Sequence, residues 1–138
     1  MKIYIAASSR PEERPRVDAA FAGAAAAGII VLGDWRPDVD LHGANPADLL
    51  TAQASARKDF RAVRDCDATW LLVPSEGGRG CWVELGIALC LQEERGFPVA
   101  VASGVTDVSI FTSLCYRTFR SDLEALRYLC GGRRAPRA

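Results

Sequence analysis

Apolar positions recur along the chain with two alternating periods, and that alternation predicts an order of elements. Lys2–Ala7 is a short β-rich apolar run that ends in the polar turn Ser8-Ser9-Arg10-Pro11. Helical spacing follows over Glu13–Ala27 and stops at Gly28, after which Ile29–Leu32 supplies a second short strand. Gly33–Pro46 breaks both periods and reads as a long polar loop. Pro46, after Asn45, then sits in the first turn of a long helix whose apolar or small positions run through Leu49, Leu50, Ala56, Phe60 and Val63 to an end near Cys66.

The continuous run Thr69–Val73 reads as a buried strand, Pro74–Gly80 as a glycine-rich loop, and the stretch from about Cys81 as a helix with Glu84 in its first turn. A further buried strand opens at Pro98 and covers Val99–Ser103. Val108–Leu114 fits no single period, and Cys115–Phe119 reads as a last short strand. Ser121-Asp122-Leu123-Glu124 has the form of a capping box, opening a helix that ends at Gly131-Gly132. Five strands alternating with four helices predict one α/β domain over residues 1–132. Its expected form is a three-layer α/β/α sandwich around a mostly parallel five-stranded sheet, flavodoxin- or Rossmann-like, with 133–138 as a basic tail.

Composition narrows the function classes. Of 138 residues, 49% are hydrophobic and 25% charged, with formal net charge zero, which argues against an electrostatic grip on nucleic acid polymers or membranes. No signal peptide and no bilayer-length apolar run is visible, so a cytoplasmic setting is expected. The five cysteines, Cys66, Cys81, Cys90, Cys115 and Cys130, are odd in number, lie within apolar patterns and form no C-x-x-C pair, which reads as reduced core thiols. Cys81 alone, at a helix start, has a setting that could lower a thiol pKa, but with no partnering His, packing is its expected role. His42 has no ligand-spaced partners, so a metal site is not expected.

A right-handed βαβ crossover brings three stretches to the carboxyl edge of the sheet: Tyr4 with Ser8-Ser9-Arg10, the loop through Gly77, Gly78, Arg79 and Gly80 to Glu84, and the polar loop after Gly33. Each has a plain alternative. Glu84 is either a helix-start carboxylate favoured by the dipole or a nucleophile toward an electrophilic sugar carbon. The glycine loop is either an anion cradle or a flexible turn; it lacks the Lys-Ser/Thr ending of a P-loop, and no dinucleotide fingerprint follows a strand. Asp59, among Arg57, Lys58 and Arg61, is either solvated or a proton donor to a leaving base, and Asp65 and Asp67 read as turn residues. Trp35 either stacks on a base or covers the core.

The segments K-I-Y-I-A-A-S, D-F-R-A-V-R-D-C-D-A-T-W-L-L-V-P and S-E-G-G-R-G-C-W-V-E-L-G-I-A-L, spread over about residues 1–103, resemble the nucleoside 2-deoxyribosyltransferase superfamily, which includes nucleotide N-glycosidases. The resemblance implies that Glu84 attacks C1′ of a deoxyribose, that Tyr4 orients it, and that Asp59 protonates or holds the base. It also implies that Ser8, Ser9, Arg10 and the loop Ser75, Glu76, Gly77, Gly78, Arg79 and Gly80 lie where nucleotide-using members bind a 5′-phosphate. No metal or organic cofactor is implied. A homodimer or larger assembly is, with Ser113 or Tyr116 reaching a neighbouring site. Transferases of this kind commonly carry an aspartate before the loop glycine, where this chain has Glu76. Three activities follow as expectations: deoxyribose transfer between bases, hydrolysis of 5′-monophosphates, and nucleotide binding without turnover.

Overall fold

The structure, a computed structural model, describes residues 1–41, 49–107 and 109–131. His42, the Asn45-Pro46 helix start, Val108, Gly132 and the tail lie outside them. Five strands form one sheet: β1 (Lys2–Ala6), β2 (Ile30–Val31), β3 (Ala68–Leu72), β4 (Val99–Ser103) and β5 (Arg117–Phe119). Four helices connect or follow them: α1 (Arg14–Ala26), α2 (Leu49–Asp65), α3 (Arg79–Arg95) and α4 (Asp122–Cys130). Every strand pair is parallel, in the order β2-β1-β3-β4-β5, so the sheet is a three-layer Rossmann-like α/β/α fold of flavodoxin order.

Register explains which side chains reach which layer. Tyr4 pairs with Thr69 and Thr69 with Ala100 on the face under α2 and α3, whereas Ile5, Trp70 and Val101 lie side by side on the face under α1 and α4. All six are fully buried, and burial of each large apolar side chain contributes about 1.5–3 kcal/mol. The buried runs read as continuous apolar stretches because a parallel sheet is covered on both faces.

Several expected boundaries shift. The second strand shortens from Ile29–Leu32 to Ile30–Val31 because it lies at the sheet edge and pairs only with β1. Within the loop after Gly33, Arg36–Leu41 forms a 3-10 turn. The last strand begins at Arg117, since Cys115 N–H instead closes the 3-10 turn Thr112–Leu114. The capping box is formed, with Glu124 N–H donating to Ser121 Oγ at 3.3 Å and Ser121 N–H donating to Glu124 Oε2 at 3.0 Å. Among the described residues, no helix is long and apolar enough to cross a membrane.

The sheet order positions the site. From β1 the chain leaves through α1 toward β2, and from β3 it leaves through α3 toward β4, in opposite directions from adjacent strands. The diverging connections open a crevice at the carboxyl ends of β1 and β3, where ligands of open α/β sheets bind.

Candidate active site

Tyr4 is locked into β1 with no exposed surface, and its hydroxyl donates to Glu84 Oε1 at 2.7 Å. Its ring is fitted against Gly33: a Cβ there would lie 2.6 Å from Ala62 Cβ and 3.3 Å from Tyr4 Cε2, in a backbone conformation of φ +61° that disfavours side chains. Gly78, in the left-handed region at φ +76°, forms the N-cap of α3, and a Cβ on it would meet Pro74 Cγ at 2.7 Å and Cys81 Sγ at 2.9 Å. The helix therefore begins at Arg79, two residues before the expected start. Glu84 is its sixth residue and lies in the second turn, not the first.

That displacement changes the electrostatics. The dipole acts mainly on the first turn, and the dominant influence on Glu84 is burial, which pushes its carboxyl up to about 8. The Tyr4 hydrogen bond opposes the rise, and the charge of Asp59 adds to it. Asp59 is raised to about 6, again chiefly by burial, with Lys58 opposing and Asp38 reinforcing. Burial and the charge of Glu84 push the Tyr4 hydroxyl far above its ordinary value, so it stays protonated and has a proton to donate to Glu84. Asp59 Oδ1 is buried without a hydrogen-bond partner among the described residues. A polar atom left so is destabilising by about 1–3 kcal/mol unless a ligand satisfies it.

Glu84, Asp59 and Asp38 border one cleft of ≈ 530 Å³, with Tyr4 behind Glu84. Ser8, Ser9, Arg10, Gly78, Arg79 and Gly80 line it on one side; Trp35, Asp38, Ser55 and Asp59 line the other, and Glu84 lies on its wall. Ser75, Glu76 and Gly77, expected with the phosphate-binding residues, belong to the loop but do not line the cleft. Ser75 instead donates its N–H (2.9 Å) and hydroxyl (2.7 Å) to Glu13 Oε1. Glu76 accepts from Arg10 Nη1 at 3.3 Å. Both contacts tie the turn after β1 to the loop after β3. Ser113 and Tyr116 lie on a separate hollow of ≈ 230 Å³ beside β5.

Beneath the loop, Arg16 grips Asp122 through Nε (2.7 Å) and Nη2 (2.8 Å), and donates through Nη1 to the Val73 carbonyl at 2.6 Å. Ser103 Oγ donates to the same Asp122 at 2.6 Å and accepts from Trp70 Nε1 at 2.8 Å. Arg16 also pairs with Glu13 at 3.5 Å. The carboxyl ends of β3 and β4, α4 and the glycine loop are thus joined in one network. The pairing carries no signal in the sequence, because Arg16 and Asp122 are far apart along the chain and Asp122 reads there only as part of the capping box.

Two alternatives are decided by burial. Cys81 is almost fully enclosed, and desolvation, reinforced by Glu84, pushes its thiol up to about 12, so the helix start does not activate it. Trp35 is buried, its indole N–H donates to the Ile5 carbonyl at 2.8 Å, and it packs edge-on against Phe21 at 6.4 Å. It belongs to the core while one part borders the cleft.

No family model and no curated protein sequence matches the chain. Among solved structures, it is similar to a CMP N-glycosidase of Clostridium botulinum, with a TM-score of 0.57 at 12% identity, over 94% of this chain and 98% of that one. At that identity, what the two share is the fold.

Proposed function

We propose that the protein cleaves the N-glycosidic bond of nucleoside 5′-monophosphates by hydrolysis, with Glu84 as nucleophile. The observation that carries this reading is the hydrogen bond from buried Tyr4 to Glu84 at 2.7 Å, beside a cleft lined by Glu84 and by Asp59, whose buried Oδ1 is unpartnered among the described residues. The likeness in fold to an enzyme named as a CMP N-glycosidase supports it. So does the layout of the cleft. Arg79 opens α3 and Glu84 follows five residues later, about 7–8 Å along the helix. That spacing suits a ligand with its phosphate at the helix start and its sugar over the glutamate.

The chemistry follows from the two carboxyls. With Tyr4 holding Oε1, Glu84 Oε2 has no partner among the described residues and is the oxygen that attacks C1′. The C1′–N bond breaks, its electron pair leaves with the base, and a proton from Asp59 neutralises the base. Water then attacks C1′ of the glycosyl ester and gives a proton back to Asp59. The ester C1′–O bond breaks to regenerate ionised Glu84. Two displacements at C1′ give sugar 5-phosphate with retained configuration. Since both carboxyls are raised, the pair holds one proton near neutrality, and the productive arrangement places it on Asp59.

The test is a chromatographic assay of purified protein with nucleosides and 5′-monophosphates, in ribo and deoxyribo forms, with and without a second free base. Free base and sugar 5-phosphate from monophosphates alone, reduced at least about 10³-fold in Glu84→Ala, is the expected result. Exchange of bases would establish a transferase instead. Equal release by wild type and Glu84→Ala would defeat the mechanism.

A further inference from the structure

The end of the cleft away from the glycine loop has an unusual inventory of hydrogen-bonding groups. The Trp35 indole N–H is already donated to the Ile5 carbonyl at 2.8 Å. Ser55 has one hydroxyl proton, and it goes to Asp38 Oδ2 at 2.8 Å, so what the hydroxyl offers a ligand is lone pairs. Lys58 grips the same Oδ2 and the Asp34 carbonyl, and it does not line the cleft. Asp38 Oδ1 and Asp59 Oδ1 have no partner among the described residues. Ala52, Ala56 and Phe60 add only apolar side chains, and their backbone N–H groups lie inside α2. Among the described residues, this wall therefore presents acceptors, and the one exchangeable donor on it is the acid form of Asp59.

We infer that this end of the cleft selects nucleobases whose paired edge carries an exocyclic amino group, as in cytosine or adenine, over their oxo counterparts, with Asp38 and Ser55 as specificity-determining residues. The inference rests on the proposed function above. An amino group has two hydrogens to give to facing acceptors. An oxo oxygen in the same place has only lone pairs and would face the Asp38 carboxylate with nothing between them. The next ring position reinforces the choice. Beside the amino group, cytosine N3 and adenine N1 are unprotonated and accept the Asp59 proton. In uracil and hypoxanthine, that nitrogen carries hydrogen, so it requires ionised Asp59, which has no proton to give the departing base. The Ser55 and Lys58 bonds to Oδ2 fix the carboxylate, so that its other oxygen meets the base in one orientation.

The test compares matched pairs, cytidine with uridine 5′-monophosphate and adenosine with inosine 5′-monophosphate. It uses kcat/KM for base release by the wild type and calorimetric binding to Glu84→Gln, which keeps an acceptor for Tyr4. The amino member of at least one pair should be favoured by about 10- to 100-fold in both measurements. Asp38→Asn, whose amide offers a donor, should reduce or reverse that ratio, and Ser55→Ala should lower it. A merely structural role for either residue would weaken both members of a pair alike and leave the ratio unchanged, which would overturn the inference. Equal kcat/KM within both pairs, with base release intact, would overturn it and leave the proposed function standing. Amino-selective binding without any base release would do the reverse. Neither binding nor release would overturn both.

Discussion

A carboxylate that attacks carbon needs a site with little water, and little water is what disfavours its charge. Glu84 and Asp59 are held in that balance, raised to about 8 and about 6, each chiefly by burial. Their singly protonated form dominates between those values, so kcat/KM should follow a bell with limbs near 6 and 8. Asp59→Asn removes the charge that helps raise Glu84. In that variant the falling limb should disappear, the activity should be lower, and the rise should follow a Glu84 value below 8. Rate measurements from pH 5 to 9 on both proteins check this, and a flat profile would contradict it. The three side chains of the proposed mechanism, Tyr4, Asp59 and Glu84, stand in recognisable sequence segments. Asp38 and Ser55 do not: what distinguishes them is the direction of their hydrogen bonds, which spacing along a chain does not encode. Burial likewise sorts the cysteines: Cys66 and Cys81 are packed as expected of core thiols, whereas Cys90 and Cys130, expected in the core, are exposed.

Among the elements, strands and helices are legible because period and punctuation agree: the capping box of α4 forms as expected, and the buried run expected at Thr69–Val73 forms β3 one residue earlier. The start of α3 was misplaced because glycine is a poor helix former, so Gly80 read as loop although it is helical. With the helix starting at Arg79, Glu84 lies in the second turn, where desolvation rather than the dipole is the main influence. Contacts between elements carried no local sign at all, and Gly33 is the case in point. It lets α2 approach β1 at Ala62 while Tyr4 stays in line with Glu84. Gly33→Ala places a Cβ 2.6 Å from Ala62 Cβ at positive φ, and should destabilise the fold by about 2–4 kcal/mol. Denaturant unfolding reads that loss. The kcat of the variant should also fall, because the added methyl crowds the Tyr4 ring.

For the molecule as a whole, the raised carboxyls oppose folding over a defined range of pH. Between the ordinary glutamate value of 4.5 and about 8, Glu84 is protonated when folded and ionised when unfolded. The folded state therefore holds more protons, and stability falls as pH rises through that window. Glu84→Gln retains an acceptor for Tyr4 and removes the titration. Its melting temperature at pH 8 should exceed that of the wild type by about 3–8 °C, with the difference closing below pH 4.5. Thermal scans at the two pH values measure this, and an equal difference at both would refute it. The network behind the loop bears on the molecule in time as well as in space. Tyr4, Glu84 and the glycine loop all belong to the first 95 residues, whereas Asp122, the carboxylate that Arg16 grips most closely, is made 106 positions after it. During synthesis, the groups of the cleft emerge before the anchor behind them, so the site gains its firm backing only when α4 folds home.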